Sequence, residues 1–303
     1  MSSYLDEKDL FMTPQVTQHG NHMVMTNVQK PIRLQYLNLD TRFKDNFQPS
    51  NLINYNITLP ERVNEVKTIT ISNIELPMTF YNISDNLGNN TFGIIVNNKQ
   101  SVIVIPNGQY DISGIVIAIN SQISVAGISN MQFSVQNNFS IFSLTGPTNP
   151  ITIDFSINTN GASDLSNLNF KLGGVLGFQY SQYILSISPL ISAGFINLRG
   201  PRYLYVILDE FSGKGNQSTF STLLQKSSLG KNILARIQID GITYPYGTTL
   251  IANRGGGLLT SNIRSYNGKI DIQRFNIQLV NELGTVIDLN GQDLTLCLIV
   301  EYE

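Results

Sequence analysis

The chain has 303 residues, enough for one large β domain or two smaller ones with separate cores. It is 42% hydrophobic and only 13% charged, with a formal net charge of −2, against roughly 25% charged residues in an average soluble protein; no overall basic field for nucleic acid follows. The single cysteine, Cys297, excludes an intrachain disulfide, a zinc ribbon and a redox pair, and points to a reducing compartment.

Asn, Gln, Ser and Thr fill the polar quota. Such a surface is solvated without strong repulsion and suits packing against neighbours, although a biased genome composition produces the same signature. The opening Met1 to Glu7 is acidic and lacks an apolar run, so no secretory signal is expected there. Apolar runs such as Ser101 to Ile105 and Tyr203 to Leu208 are far shorter than the roughly 18 residues of a membrane span.

Residues 1–29 hold both histidines, four methionines and Phe11, with no periodicity that would bury a face. They read as an arm, either a disordered tail or a segment that orders against a partner, with Phe11, Met12, His19, His22, Met23 and Met25 as its contact residues. His19 and His22 are two ligands at most, too few to define a metal centre. No metal or cofactor is expected.

Ile32, Leu34 and Tyr36 alternate with Arg33 and Gln35 and predict a first strand. Ile53, Tyr55, Ile57 and Leu59 predict a second that ends at Leu59-Pro60 before a turn at Glu61-Arg62. Val66 to Leu76 predicts a third, with a bulge where the apolar phase shifts between Ile71 and Ile74, and Pro77 stops it because proline has no N–H to donate.

From about 79 to 198 the chain is richer in Asn, Gly and Ser. Short strands are predicted at Phe92–Val96, Ser101–Ile105, Met131–Val135, Ser140–Leu144, Ile151–Ile157 and Tyr183–Ile187. Ile112, Ile115, Val116, Ile119 and Ile123 fall at helical spacing behind Asp111 or Ser113 as N-cap.

Beyond Gly200-Pro201 five more strands are expected: Tyr203–Leu208, Ile233–Ile239, a weaker Leu258–Arg264, Lys269–Leu279 with a phase change near Gln273, and Leu294–Val300. Three strands before the middle segment and five after it make eight, the number of a jelly roll. The reading is an all-β fold: a single eight-stranded jelly roll from 30–78 and 199–303, with an inserted mainly-β domain at 79–198 carrying one helix.

Three sets of strings carry a resemblance. They are Asn38-Leu39-Asp40-Thr41-Arg42-Phe43 with Tyr55 to Pro60 and Val66-Lys67-Thr68-Ile69 leading to Ile74-Glu75-Leu76-Pro77; Gly200 to Tyr205 with Asp209-Glu210-Phe211; and Ile233 to Ile237 with Asp288 to Asp293. Together they resemble the single jelly-roll vertex (penton) and minor capsid proteins of virophages and giant DNA viruses, most of all virophage pentons of the mavirus and Sputnik type. The resemblance implies a structural capsid protein, five copies of which close an icosahedral vertex against a major capsid protein of double jelly-roll type. It also implies that the insertion faces outward and is available to a host-surface receptor, with the virion as location and the host cytoplasm as the place of assembly. A minor capsid protein, or a jelly-roll attachment module that binds sugar, are the alternatives; the absence of Trp counts against sugar stacking.

Chemistry tested along the chain gives no constellation. Ser-His-Asp and Cys-His mechanisms need a positioned imidazole, and both histidines lie in the arm. Asp209, Glu210 and Asp271 are the carboxylates a glycosidase would use, but neighbours on a strand point to opposite faces. Gly213-Lys214-Gly215 lacks phosphate-loop spacing, Gly173 to Phe178 lacks a dinucleotide fingerprint, and the single Arg254-Gly-Gly-Gly is no repeat. Asp85 to Asn89 reads as a turn, having no Glu at EF-hand spacing.

Overall fold

The computed structural model describes residues 31–45, 52–146, 149–212, 220–224, 227–230 and 232–303. The arm residues Phe11, Met12, His19, His22, Met23 and Met25, and the Gly213-Lys214-Gly215 stretch, lie outside the described residues.

Strand β1 covers Arg33–Asp40 and β2 covers Asn54–Pro77. The middle of the chain supplies β3 (Thr91–Val96), β4 (Lys99–Val104), helix α1 (Ile112–Val125), β5 (Met131–Gln136), β6 (Phe139–Leu144), β7 (Ile151–Asp154), the one-turn helix α2 (Leu172–Val175), β8 (Gln182–Leu185) and β9 (Leu190–Phe195). The chain then returns in β10 (Tyr203–Asp209), the short hairpin β11 (Thr222–Leu223) and β12 (Ser228–Leu229), β13 (Ile233–Gln238), β14 (Thr249–Asn253), β15 (Leu259–Ser261), β16 (Arg264–Val280) and β17 (Thr295–Tyr302).

Pairing resolves the large curled sheet into two four-stranded walls. One runs β1, β17, the second half of β2, then β14. The other runs from the first half of β2 through β16 and β10 to β13. All of these pairs are antiparallel. In chain order this is strands 1-8-3-6 facing 2-7-4-5, the two interlocked Greek keys of a jelly roll. The inward residues of both walls form one core. Tyr55, Ile57, Ile69, Ile71, Ile74 and Leu76 from β2 meet Leu204, Val206 and Leu208 from β10, with Phe275, Ile277 and Leu279 from β16 and Leu296, Leu298 and Val300 from β17.

Three expectations need correction. Pro60 does not end a strand: β2 continues through it to Pro77. Pro60, Glu61 and Arg62 are exposed, and the ladder to β16 skips from Thr58↔Arg274 to Val63↔Ile272, so the missing N–H is not called upon. The chain bends instead at Glu65, whose φ of 56° is left-handed and whose N–H is accepted by Asp271 Oδ1 at 3.0 Å.

The first strand is present, but its predicted apolar face is the outer one. Ile32, Leu34 and Tyr36 are 60%, 60% and 64% exposed, while Leu39 is buried and Leu37 packs against the core. The sixth jelly-roll strand in chain order is Thr249–Asn253 rather than Leu258–Arg264. Leu259–Ser261 is instead a three-residue strand on β13, and Arg264 already belongs to β16.

The bulges occur where the apolar phase shifts. The β2–β17 register slips between Cys297 and Leu298, opposite Ser72, and the β2–β16 register slips between Ile272 and Arg274.

The middle segment has its own core. Sheets β4-β3-β7-β8 and β5-β6-β9 enclose Ile94 and five phenylalanines, Phe92, Phe133, Phe142, Phe155 and Phe178, whose rings lie 4.9 to 6.5 Å from their ring neighbours in this set. Helix α1 is capped by Asp111, whose Oδ1 accepts from Gly114 N at 2.6 Å, and it buries Ile115, Ile119 and Ile123. Ile112 of the predicted stripe is 41% exposed, and α2 and β9 carried no sequence prediction. Gly173, in α2, lies against Phe155, where an added Cβ would sit 2.5 Å from the ring; its role is close packing.

Candidate assembly surface and the ends of the barrel

Strand β1 hydrogen-bonds on one side only, to β17, so its other edge is open among the described residues. In an antiparallel pair, directly opposed residues share a face. Leu34, Tyr36 and Asn38 therefore stand in line with Glu301, Ile299 and Cys297, and the rows continue to Thr68, Thr70 and Asn73 of β2. The outer surface of this wall is thus mostly Thr, Asn and apolar side chains, with Glu301 and Glu75 as its acidic members and Ile32, Leu34 and Tyr36 exposed at its margin. Phe43, 74% exposed, lies just beyond the end of β1. An open edge flanked by exposed apolar residues is a template for another chain.

That end of β1 is held rigidly. Asp40 Oδ1 accepts from Arg42 N at 2.9 Å and its carboxylate also binds the Arg42 guanidinium, which lowers the Asp40 pKa. Thr41 is fully buried and donates to Asp293 Oδ1 at 2.8 Å, while its backbone N–H donates to Leu294 O.

Cys297 lies on the outer face with Thr295 and Ile299, while Leu296, Leu298 and Val300 face the core. Burial raises its thiol pKa, which disfavours the thiolate.

The opposite end of the barrel carries charges. Glu303 binds Lys67 and Lys269, Lys269 also reaches Glu65 at 3.4 Å, and Arg62 lies 3.9 Å from Asp271. The two lysines hold the Glu303 carboxyl well below the usual range, at about 2.

The carboxylates Asp209, Glu210 and Asp271 have structural partners. Glu210 is buried and bound to Arg264 at 2.6 Å, and Arg264 also donates to Leu208 O at 2.8 Å and Asn232 O at 2.9 Å. This pair ties the end of β10 to the start of β13 and β16. Burial and the Glu210 charge push the neighbouring Tyr266 phenol far above the ordinary tyrosine range. Asp209 accepts from Phe211 N at 2.9 Å, and Asp271 accepts from Glu65 N. Neither Asp271 nor Asp209 is brought into a pair that would flank a substrate. Among the described residues no three His, Cys, Asp or Glu side chains gather as a metal centre.

The third region is the neck where the middle segment leaves and rejoins the barrel. Asn82 is 3% exposed; its side-chain amide donates to Tyr110 O at 2.8 Å and to Leu198 O at 2.7 Å, and its Oδ1 accepts from Tyr110 N. One residue thereby binds the outgoing chain to the returning chain. The β16–β17 connection supports the neck from the barrel side: Thr79 Oγ1 donates to Leu289 O at 2.7 Å, and Asn86 donates to Val286 O at 2.9 Å. None of this was legible in advance, since an Asn in an Asn-rich segment carries no distinguishing signal.

No protein-family model and no curated protein sequence matches the chain. Among solved structures the chain is similar to the Sputnik virophage structure determined by cryo-electron microscopy, with 14% identity, a TM-score of 0.43, and coverage of 90% of this chain and 98% of that one. It is also similar to the mavirus penton protein, with 10% identity, a TM-score of 0.42, and coverage of 90% of this chain and all of that one.

Proposed function

We propose that the chain is a structural capsid protein forming the pentameric vertex, the penton, of an icosahedral DNA virus or virophage. The observation that carries this reading is the division of labour over the jelly roll. One wall presents an open β1 edge with Ile32, Leu34 and Tyr36 exposed beside it, and the opposite end of the molecule from the Glu303 cluster carries a segment with a separate core. Closing a ring of five copies needs heterologous contacts, in which an edge of one copy meets a different surface of the next. The β1 margin is suited to one half of such a contact. The carboxylates a glycosidase would use, Asp209, Glu210 and Asp271, are engaged within the fold, which agrees with a structural role.

In this reading the neighbours are further copies and a major capsid protein of double jelly-roll type, the middle segment faces outward toward a receptor, and the arm with Phe11, Met12, His19, His22, Met23 and Met25 contacts a partner. The location is the virion, assembled in the host cytoplasm. Reconstruction of the assembled particle is the test. Density for this chain at the five-fold positions is the expected result; density only on the faces between vertices replaces the penton by a minor capsid protein.

A further inference from the structure

Beside the neck lies a cleft of about 820 Å³, within the size range of small-molecule sites. Several parts of the chain build it: the outgoing segment from Met78 to Asn82 together with Gln109, the returning segment with Arg199 and Arg202, the start of β10 and the outer face of β13 with Tyr203 and Arg236, and the β13–β14 loop with Tyr244 and Tyr246. Asp240 is the one acidic residue lining it, so the cleft is cationic on a chain of net charge −2.

The arginines are not occupied elsewhere. Arg42, Arg62, Arg264 and Arg274 each lie against a carboxylate, whereas Arg199, Arg202 and Arg236 have no ion pair among the described residues. Asp240 accepts from the N–H groups of Ile242 and Thr243 instead. The buried Glu282 accepts from the backbone N–H of Arg202 at 2.6 Å rather than from its guanidinium. Arg236 is held over the Tyr203 ring at 4.3 Å from its centroid, a placement that fixes the guanidinium plane before any ligand arrives.

The amides around the cleft add donors. Gln109 and Asn197 use their side-chain oxygens to accept from Asn82 N and Arg199 N, which leaves their NH2 groups for a ligand. Gln238 is exposed on the rim. Tyr246 stacks on Tyr81 at 6.2 Å, and burial raises the pKa of Tyr203 and Tyr246, so both phenols stay neutral donors at physiological pH. A donor-rich, cationic wall beside aromatic rings calls for a ligand that is anionic, rich in acceptor oxygens, and provided with apolar C–H faces.

We propose that this cleft binds an acidic saccharide, one carrying carboxylate or sulfate groups. Arg202 and Arg236 take the anionic group, the Gln109 and Asn197 amides take ring hydroxyls, and Tyr244 and Tyr246 face the C–H surface of the sugar. Three tyrosines gathered in one cleft supply the platform that the absence of Trp had seemed to deny. The proposal does not depend on a place in a capsid, because it concerns the isolated chain.

Titration calorimetry on the full-length protein tests it, with 3′-sialyllactose as the carboxylated probe, a heparin-derived tetrasaccharide as the sulfated one, and lactose and inorganic sulfate as references. At least one acidic saccharide should bind about tenfold or more tightly than either reference, and Arg202→Gln and Arg236→Gln should each weaken it by about tenfold. Arg274→Gln, at a guanidinium paired with Asp45 outside the cleft, should leave it unchanged. Arg202 is exposed, so its variant keeps the test valid if loss of the Arg236 contact to Tyr203 disturbs folding. Equal binding of sulfate and saccharide, equal binding of lactose, no binding at millimolar concentration, or indifference to both substitutions overturns the proposal. Tighter capture of an acidic peptide, such as one of residues 1–12, also overturns it and makes the cleft a peptide dock.

Discussion

Arg264 shows how a single residue can decide a local architecture. Its guanidinium ends one strand, starts another and neutralises Glu210, all within the barrel wall and away from water. A buried ion pair of this kind contributes little against an apolar replacement of both partners, but breaking it leaves one charge buried and alone. Arg264→Met should therefore cost about 3–5 kcal/mol, and the double variant Arg264→Met with Glu210→Leu should be less destabilised than the single one. Denaturant titration of the three proteins checks this, and equal losses in single and double variants would contradict it. Glu303 illustrates the other regime, a half-buried charge at the end of the barrel with two lysine partners. Its folded pKa of about 2 lies below the ordinary value of 4.5, so its link to Lys67 and Lys269 is fully present above pH 4.5 and is lost as the pH falls toward 2. An NMR titration of the Glu303 carboxyl should show a midpoint near 2, and its neighbours at the end of β17 should gain mobility only below that range. A midpoint near 4.5 would mean that the three side chains do not meet.

At the scale of elements, β1 offers the clearest test of the assembly reading. Ile32, Leu34 and Tyr36 do not serve the core, so Leu34→Lys with Tyr36→Lys should change the stability of the isolated chain by no more than about 0.5 kcal/mol. The same pair of substitutions should abolish incorporation into particles. A large loss of stability would place these side chains in a packed environment of their own chain. The same strand also explains why sequence reading succeeds for some properties and fails for others. Alternation in residues 32–36 correctly located a strand, but period-two alternation does not say which face meets the core; the inward phase is set by Leu37 and Leu39 further along. The walls β10, β16 and β17 were legible because each presents three or more core-facing apolar residues. Strand β14 presents only Leu250 and Ala252 to the core, too short a pattern to stand out from the loop around it. Pro60 read as a terminator because proline removes a ladder bond, whereas the fold places it in a gap of the ladder to β16 where that bond is not made. The neck and the cleft were invisible for a different reason. Asn82, Arg202, Arg236 and Tyr246 come from segments far apart in the chain, and only tertiary structure brings them together.

For the molecule as a whole, the question is whether its two cores melt together. Phe80 packs with the barrel core, and Ile83 with the core of the middle segment; on the return, Leu198 packs with the middle segment and Leu204 with the barrel. The change of allegiance thus falls between 80 and 83 and between 198 and 204. Across the neck the contacts are chiefly hydrogen bonds, such as those of Asn86 and Thr79 to the β16–β17 connection, with Leu87 as an apolar contact on the barrel core. Units joined by a few polar contacts and holding separate apolar cores are expected to unfold in separate steps. Ile119 is the place to test this, because it is fully buried in α1 against the middle core, and a charge there has no partner to satisfy it. Ile119→Asp should lower or remove one calorimetric transition of the full-length protein and leave the other within a few degrees of its original midpoint. Joining Phe80 to Gly200 through a short Gly/Ser linker should retain that second transition and a β-rich spectrum. A single transition that shifts as a whole would mean that the neck couples the two cores more strongly than its hydrogen bonds account for, and the middle segment would then have to be regarded as part of the barrel's own cooperative unit.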